Sequence, residues 1–141
     1  LYLSGWLNRL TDSQRDLVAQ AVAAHKRLLS TIVRYVPFWP LGLPGWNDEW
    51  VALGLQDKAG AQARELHLTI WRRGERPGRV SLTLPPASAG LRWDVPAAVF
   101  PGHSPLSLTL SDDCRSLDAL DDTGLHAARV VTLKAVTTKA E

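Results

Sequence analysis

A chain of 141 residues can enclose one core and at most part of a second. Hydrophobic residues make up 45% and charged residues 21%, which excludes an intrinsically disordered chain. The net charge of +2 comes from sixteen Lys and Arg dispersed among fourteen Asp and Glu, so there is no clustered basic face for nucleic acid.

The first predicted element is a helix over residues 11–36. Thr11 can cap it while Gln14 reaches back to the Thr11 amide, which is the capping-box arrangement. Leu17, Ala21, Leu28 and Ile32 interleave with Val18, Val22, Leu29 and Val33 as a broad apolar stripe that calls for a partner surface. Pro37 ends the pattern, because it disfavours helical geometry at Val36 and has no amide hydrogen to donate.

Residues 37–49 then read as a Pro- and Trp-rich linker. The longer run over 37–55, PFWPLGLPGWNDEWVALGL, holds three of the six Trp and three of the nine Pro. Beyond it the hydrophobic period changes to two. Leu66, Leu68 and Ile70 alternate with His67, Thr69 and Trp71. Val80, Leu82 and Leu84 alternate with Ser81 and Thr83, and Leu106, Leu108 and Leu110 with Ser107 and Thr109. Further strands are predicted over 50–55, 91–95, 98–100, 115–120 and 129–135, separated by turn-forming clusters at 74–78, 85–90 and 121–124. Short strands at short intervals with no helix between them indicate an antiparallel β-sandwich or barrel. The fold class is therefore mainly β, a long N-terminal helix followed by an antiparallel β-sandwich.

Few residue patterns point to chemistry. Arg72, Arg73, Arg76 and Arg79, broken by Gly74 and Glu75, have the composition of a solvated hairpin turn. Paired carboxylates could divide acid and base work, but Asp112 and Asp113 fit a turn at a strand end, and Asp121 and Asp122 before Thr123 and Gly124 fit a hairpin turn. Asp48 and Glu49 lie between Trp46 and Trp50, a grouping that suits the stacking of a sugar on aromatic rings as well as core packing. His25, His67, His103 and His126 show no ligand spacing, and Cys114 is the lone cysteine, so neither a metal site nor a disulfide framework is expected. No run reaches the ~18–20 apolar residues of a membrane span, no secretory signal is evident, and a cytoplasmic location is expected.

The run PFWPLGLPGWNDEWVALGL, followed by LHLTIWRRG and preceded by LSGWL and the helix pattern LVAQAVAAHKRL, resembles the C-terminal part of bacterial α-galactosidases of glycoside hydrolase family 36. The likeness covers essentially the whole chain and is strongest over residues 3–74. It implies that residues 1–36 are the tail of a catalytic (β/α)8 barrel, mainly its last helix, that 37–49 form the linker, and that 50–141 form the C-terminal sandwich. Leu17, Ala21, Leu28, Ile32 and Trp39 would then be interdomain packing residues, facing a catalytic barrel that precedes this chain in the same polypeptide.

The family's retaining mechanism uses one Asp as nucleophile and another as acid/base at barrel strand ends. The resemblance implies that both lie upstream of Leu1. LSDDCRS superficially resembles an acid/base motif but falls among sandwich strands. No catalytic residue and no cofactor is therefore expected here, and the galactoside would be a substrate of the parent enzyme. Two other classes remain beside this one. One is a carbohydrate-binding module that stacks sugar on Trp46 and Trp50, and the other is an interaction domain that forms a homo-oligomer through the helix stripe.

Overall fold

The computed structural model describes Gly5 and residues 7–58, 64–94, 97–103 and 105–137. Leu3, Ser4 and Trp6 of the LSGWL motif, and Val95 of the strand predicted over 91–95, lie outside the described residues. The chain divides into two compact units, Leu1–Val33 and Arg34–Glu141.

The first unit is dominated by helix α1, Asp12–Leu29. The capping box forms as the sequence predicts. The Gln14 amide donates to Thr11 Oγ1 at 3.3 Å, and the Thr11 amide donates to Gln14 Oε1 at 2.9 Å. Asp12 in the first turn pairs with Arg15, and Lys26 and Arg27 in the last turn complement the helix dipole.

The helix stops well before Val36, which corrects the predicted end. The Leu28 carbonyl accepts both the Thr31 amide at 3.0 Å and the Thr31 hydroxyl at 3.1 Å, a tight closure that terminates the regular ladder. A short 3-10 turn, Ile32–Arg34, follows. On α1, Ala21, Val22 and Leu28 are half-buried, and Leu17 and Leu29 are exposed.

The second unit is mainly β, built from two antiparallel sheets in a sandwich-like arrangement, as predicted. Its strands are β1 Tyr35–Phe38, β2 Trp50–Asp57, β3 Glu65–Arg72, β4 Gly78–Thr83, β5 Leu91–Trp93, β6 Ala97–Phe100, β7 Leu106–Leu110, β8 Ser116–Asp121 and β9 Ala127–Thr137. The larger sheet runs β1-β2-β3-β9-β5, with β6 also paired to β9, and the smaller runs β4-β8-β7. Alternating residues from the two inner faces make one core. Ala52, Leu66, Leu68, Ile70, Val131 and Leu133 come from the larger sheet, and Leu82, Leu106, Leu117 and Ala119 from the smaller.

Residues 37–49 are not a joint between the two units. Pro37 and Phe38 belong to β1, an edge strand, where a proline can sit without costing a ladder hydrogen bond. Residues 39–49 connect β1 to β2 within the same unit, with Pro40 buried and Leu41 packed against the core. The ring of Phe38 covers its cross-strand partner Gly54 so closely that a Cβ there would come within 2.1 Å of it. An aromatic side chain thus fills the space that the glycine leaves in the sheet.

On the other face of β3, His67 Nδ1 lies 2.8 Å from the Thr132 hydroxyl, and its ring meets Tyr35 edge-on at 4.8 Å. Among the described residues His67 Nε2 is buried with no hydrogen-bond partner, and Glu65 stands 3.9 Å away. Burial lowers the His67 pKa from 6.5, and the nearby Glu65 offsets this only in part.

Below pH 6.5 the unfolded chain therefore binds more protons at this site than the folded one, and stability is lost on acidification and complete above that value. Urea midpoints measured from about pH 8 to about pH 5 should fall in the wild type and stay flatter in His67→Asn. Identical slopes in the two proteins would show that His67 contributes nothing.

Candidate functional site

Period-two alternation carries Leu66, Leu68, Ile70 and then Arg72 onto the inner face of β3, and Leu117, Ala119 and Asp121 onto the inner face of β8. The apolar rows end in a cation and an anion that meet. Arg72 is 2% exposed and Asp121 is fully buried. Arg72 Nε donates to Asp121 Oδ2 at 3.2 Å, and Nη1 donates to Glu49 Oε2 at 3.0 Å and to the Glu49 carbonyl at 3.3 Å. Nη2 donates to the Arg76 carbonyl. The guanidinium also lies 4.9 Å from the ring centroid of Trp50, its cross-strand partner on β2.

Burial alone would favour the neutral acid at Asp121, but donated hydrogen bonds outweigh it. The Thr123 amide, the Thr123 hydroxyl and the Gly124 amide all reach Oδ1, and Arg72 reaches Oδ2. The carboxyl is held below its usual range and stays ionised opposite Arg72. Gly74 is required beside it, because a Cβ at that position would lie 1.8 Å from Arg72 Nη1. Arg72 and Asp121 are thus buried structural groups rather than the solvated turn residues their neighbours in sequence suggest. Arg73, Arg76 and Asp122 are exposed as predicted.

Next to this buried pair is an open cleft of about 500 Å³, lined by Trp46, Asn47, Asp48 and Glu49 on one side and residues 73–76 on the other. Residues 45–48 form a tight turn. The Asp48 amide donates to the Gly45 carbonyl at 3.4 Å, and the Gly45 amide donates to Asp48 Oδ2 at 2.6 Å. Arg73 fastens the turn from outside, through Nε to the Asp48 carbonyl at 2.8 Å and Nη2 to the Gly45 carbonyl at 3.2 Å. Trp46 occupies the tip and is 94% exposed.

The two Trp residues singled out for sugar stacking therefore have different roles. Trp46 presents its ring to solvent, whereas Trp50 is half-buried, packs on the core and lies against the Arg72 guanidinium. Trp93 is core, Trp71 is on the outer face of β3, and Trp39 is 40% exposed in the β1–β2 connection. Of the other residues expected to pack against a barrel, Leu17 and Ile32 are exposed, and Ala21 and Leu28 are half-buried.

Asp112 and Asp113 lie in the turn between β7 and β8 and are exposed. The Ser111 hydroxyl, 2.7 Å away, and the Arg115 amide, 3.0 Å away, hold the Asp113 carboxyl below its ordinary pKa. A general acid needs the opposite shift. Among the described residues no group of His, Cys, Asp or Glu is placed to hold a metal ion, and no helix is long and apolar enough to cross a membrane. No protein family, no curated protein and no solved structure matches the chain.

Proposed function

We propose that the chain is the non-catalytic C-terminal portion of an α-galactosidase-like retaining glycoside hydrolase, in which it packs on the catalytic barrel and stabilises it. The observation that carries this reading is the apolar stripe of the first unit. Leu17 is 45% exposed, Leu29 54%, Ile32 37% and Val33 74%. Leu17 and Leu29 on α1, with Ile32 and Val33 in the 3-10 turn after it, are large apolar side chains that a covering partner would bury. The order of parts agrees with the resemblance, a helix first and an antiparallel sandwich after it.

The role of the β unit is then mechanical. It supplies a folded body with its own core, while the catalytic carboxylate pair and the galactoside pocket belong to the barrel. The reading carries a cytoplasmic location, in keeping with the single free Cys114. A free-standing module that stacks sugar on Trp46 and Trp50 together is less well supported, because Trp50 is committed to Arg72.

A charge placed on the stripe tests the proposal. Leu17→Lys should leave the urea midpoint of this chain within experimental error. In the longer polypeptide that includes the preceding reading frame, it should lower the thermal midpoint by several degrees, as burial of an unpaired charge requires. Equal midpoints for Leu17→Lys and wild type in the longer polypeptide would show that the stripe is not covered by a barrel.

A further inference from the structure

We infer that the Trp46 cleft is a binding site for a neutral pyranose, separate from any galactoside pocket of a catalytic barrel. Three features of the cleft lead to this ligand class. The first is the state of the indole. Trp46 is almost wholly exposed, yet it stands on a turn that two backbone-to-Asp48 contacts close and two Arg73 hydrogen bonds fasten. The closed turn fixes the backbone that carries the indole, so a ligand that covers the ring orders only its two side-chain torsions. The face of an indole suits the apolar C–H face of a sugar ring.

The second feature is the surrounding polar chemistry. Asn47, Asp48, Glu75 and Arg76 line the same cleft and are exposed. Carboxylate, amide and guanidinium groups side by side supply acceptors and donors for vicinal hydroxyls, which each need both. The core of a protein–protein interface is depleted in such charges, so this cleft differs from the apolar stripe of α1.

The third feature is the local charge balance. The Glu49 carboxylate already pairs with buried Arg72, and Arg73 is engaged with two backbone carbonyls. The other charged residues of the lining are Asp48, whose Oδ2 also accepts from the Gly45 amide, Glu75 and Arg76, a mixture that offers no net positive field to an anion. A neutral sugar is favoured over a uronic acid or a phosphorylated one.

The site can be tested on this chain alone, where the stripe on α1 plays no part, so its failure would leave the barrel proposal standing. The ¹⁵N-labelled protein is titrated with methyl α-glucopyranoside and methyl α-galactopyranoside, with glucuronate as the charged comparison. The indole N–H resonance of Trp46 is assigned by its disappearance in Trp46→Phe. A saturable shift of that resonance with at least one neutral glycoside is expected. Trp46→Ala should abolish saturable shifts of the Gly74 and Glu75 amides, and Glu75→Gln should weaken binding several-fold. Trp39→Phe should bind as the wild type does. No saturable shift with either neutral glycoside, stronger binding of glucuronate, or amide shifts that persist in Trp46→Ala would each overturn the proposal.

Discussion

Arg72→Ala is expected to lower the stability of the β unit by about 3–5 kcal/mol, measured by urea or guanidinium unfolding, because it strands a buried carboxylate. Asp121 is fully buried, and Arg72 is the cation that pairs with it. The three donors from Thr123 and Gly124 remain in the variant, but they hold Asp121 in its charged form and so preserve the problem. The same substitution frees the Glu49 side chain and removes the guanidinium from the Trp50 ring.

The paired replacement Arg72→Met with Asp121→Leu should cost far less than Arg72→Ala, because well-packed apolar groups of similar volume can replace a buried ion pair at little cost. If the paired replacement is as damaging as the single one, the pair is held for its hydrogen bonds to the loops rather than for mutual charge compensation.

The second large effect is at Trp93. Its side chain is 1% exposed in the core, and Nε1 donates to the Pro85 carbonyl at 2.8 Å. Trp93→Ala should destabilise the β unit by about 3–5 kcal/mol through the cavity it leaves. Trp93→Phe keeps much of the volume but orphans the Pro85 carbonyl, and should cost about 1–3 kcal/mol. Trp46→Ala, measured in the same way, should stay within about 0.5 kcal/mol of wild type, as exposed positions do. A large loss from Trp46→Ala would mean that the exposed indole supports the fold rather than serving a ligand.

Much of this architecture was legible in the sequence, and the physical reasons are specific. The capping box at Thr11 and Gln14 and the alternating Leu66, Leu68 and Ile70 are local signals, and each element they predict is present. Hydrophobic periodicity continues through Ile32 and Val33 and so carries the predicted helix past its true end at Leu29. The backbone had by then turned at Ser30 and Thr31, whose cap and hydroxyl bonds no periodicity reports.

Strand β1 leaves no local signal for a related reason. Its sequence, Tyr35 to Phe38 with a proline inside, reads as a breaker, and only pairing with β2 makes it a strand.

The buried pair could have been found. Extending the parity of β3 by one more step puts Arg72 on the core face, and extending that of β8 puts Asp121 there. Local composition won instead, because Gly, Pro and charge around both residues signal turns. The turns are real, and the two side chains point inward from their edges. The differing fates of Trp46 and Trp50 were beyond local reading, since Trp50 is engaged by an arginine more than twenty residues away in sequence, across a strand pair.

The proposed completion of a preceding catalytic barrel by this helix and sandwich can be assayed through hydrolysis of 4-nitrophenyl α-galactopyranoside. The chain alone is compared with the polypeptide extended through the preceding reading frame. The proposed function requires no turnover by the chain alone and turnover by the extended protein that declines when α1 is deleted. Hydrolysis by the chain alone, or an extended protein without α-galactosidase activity, would contradict it.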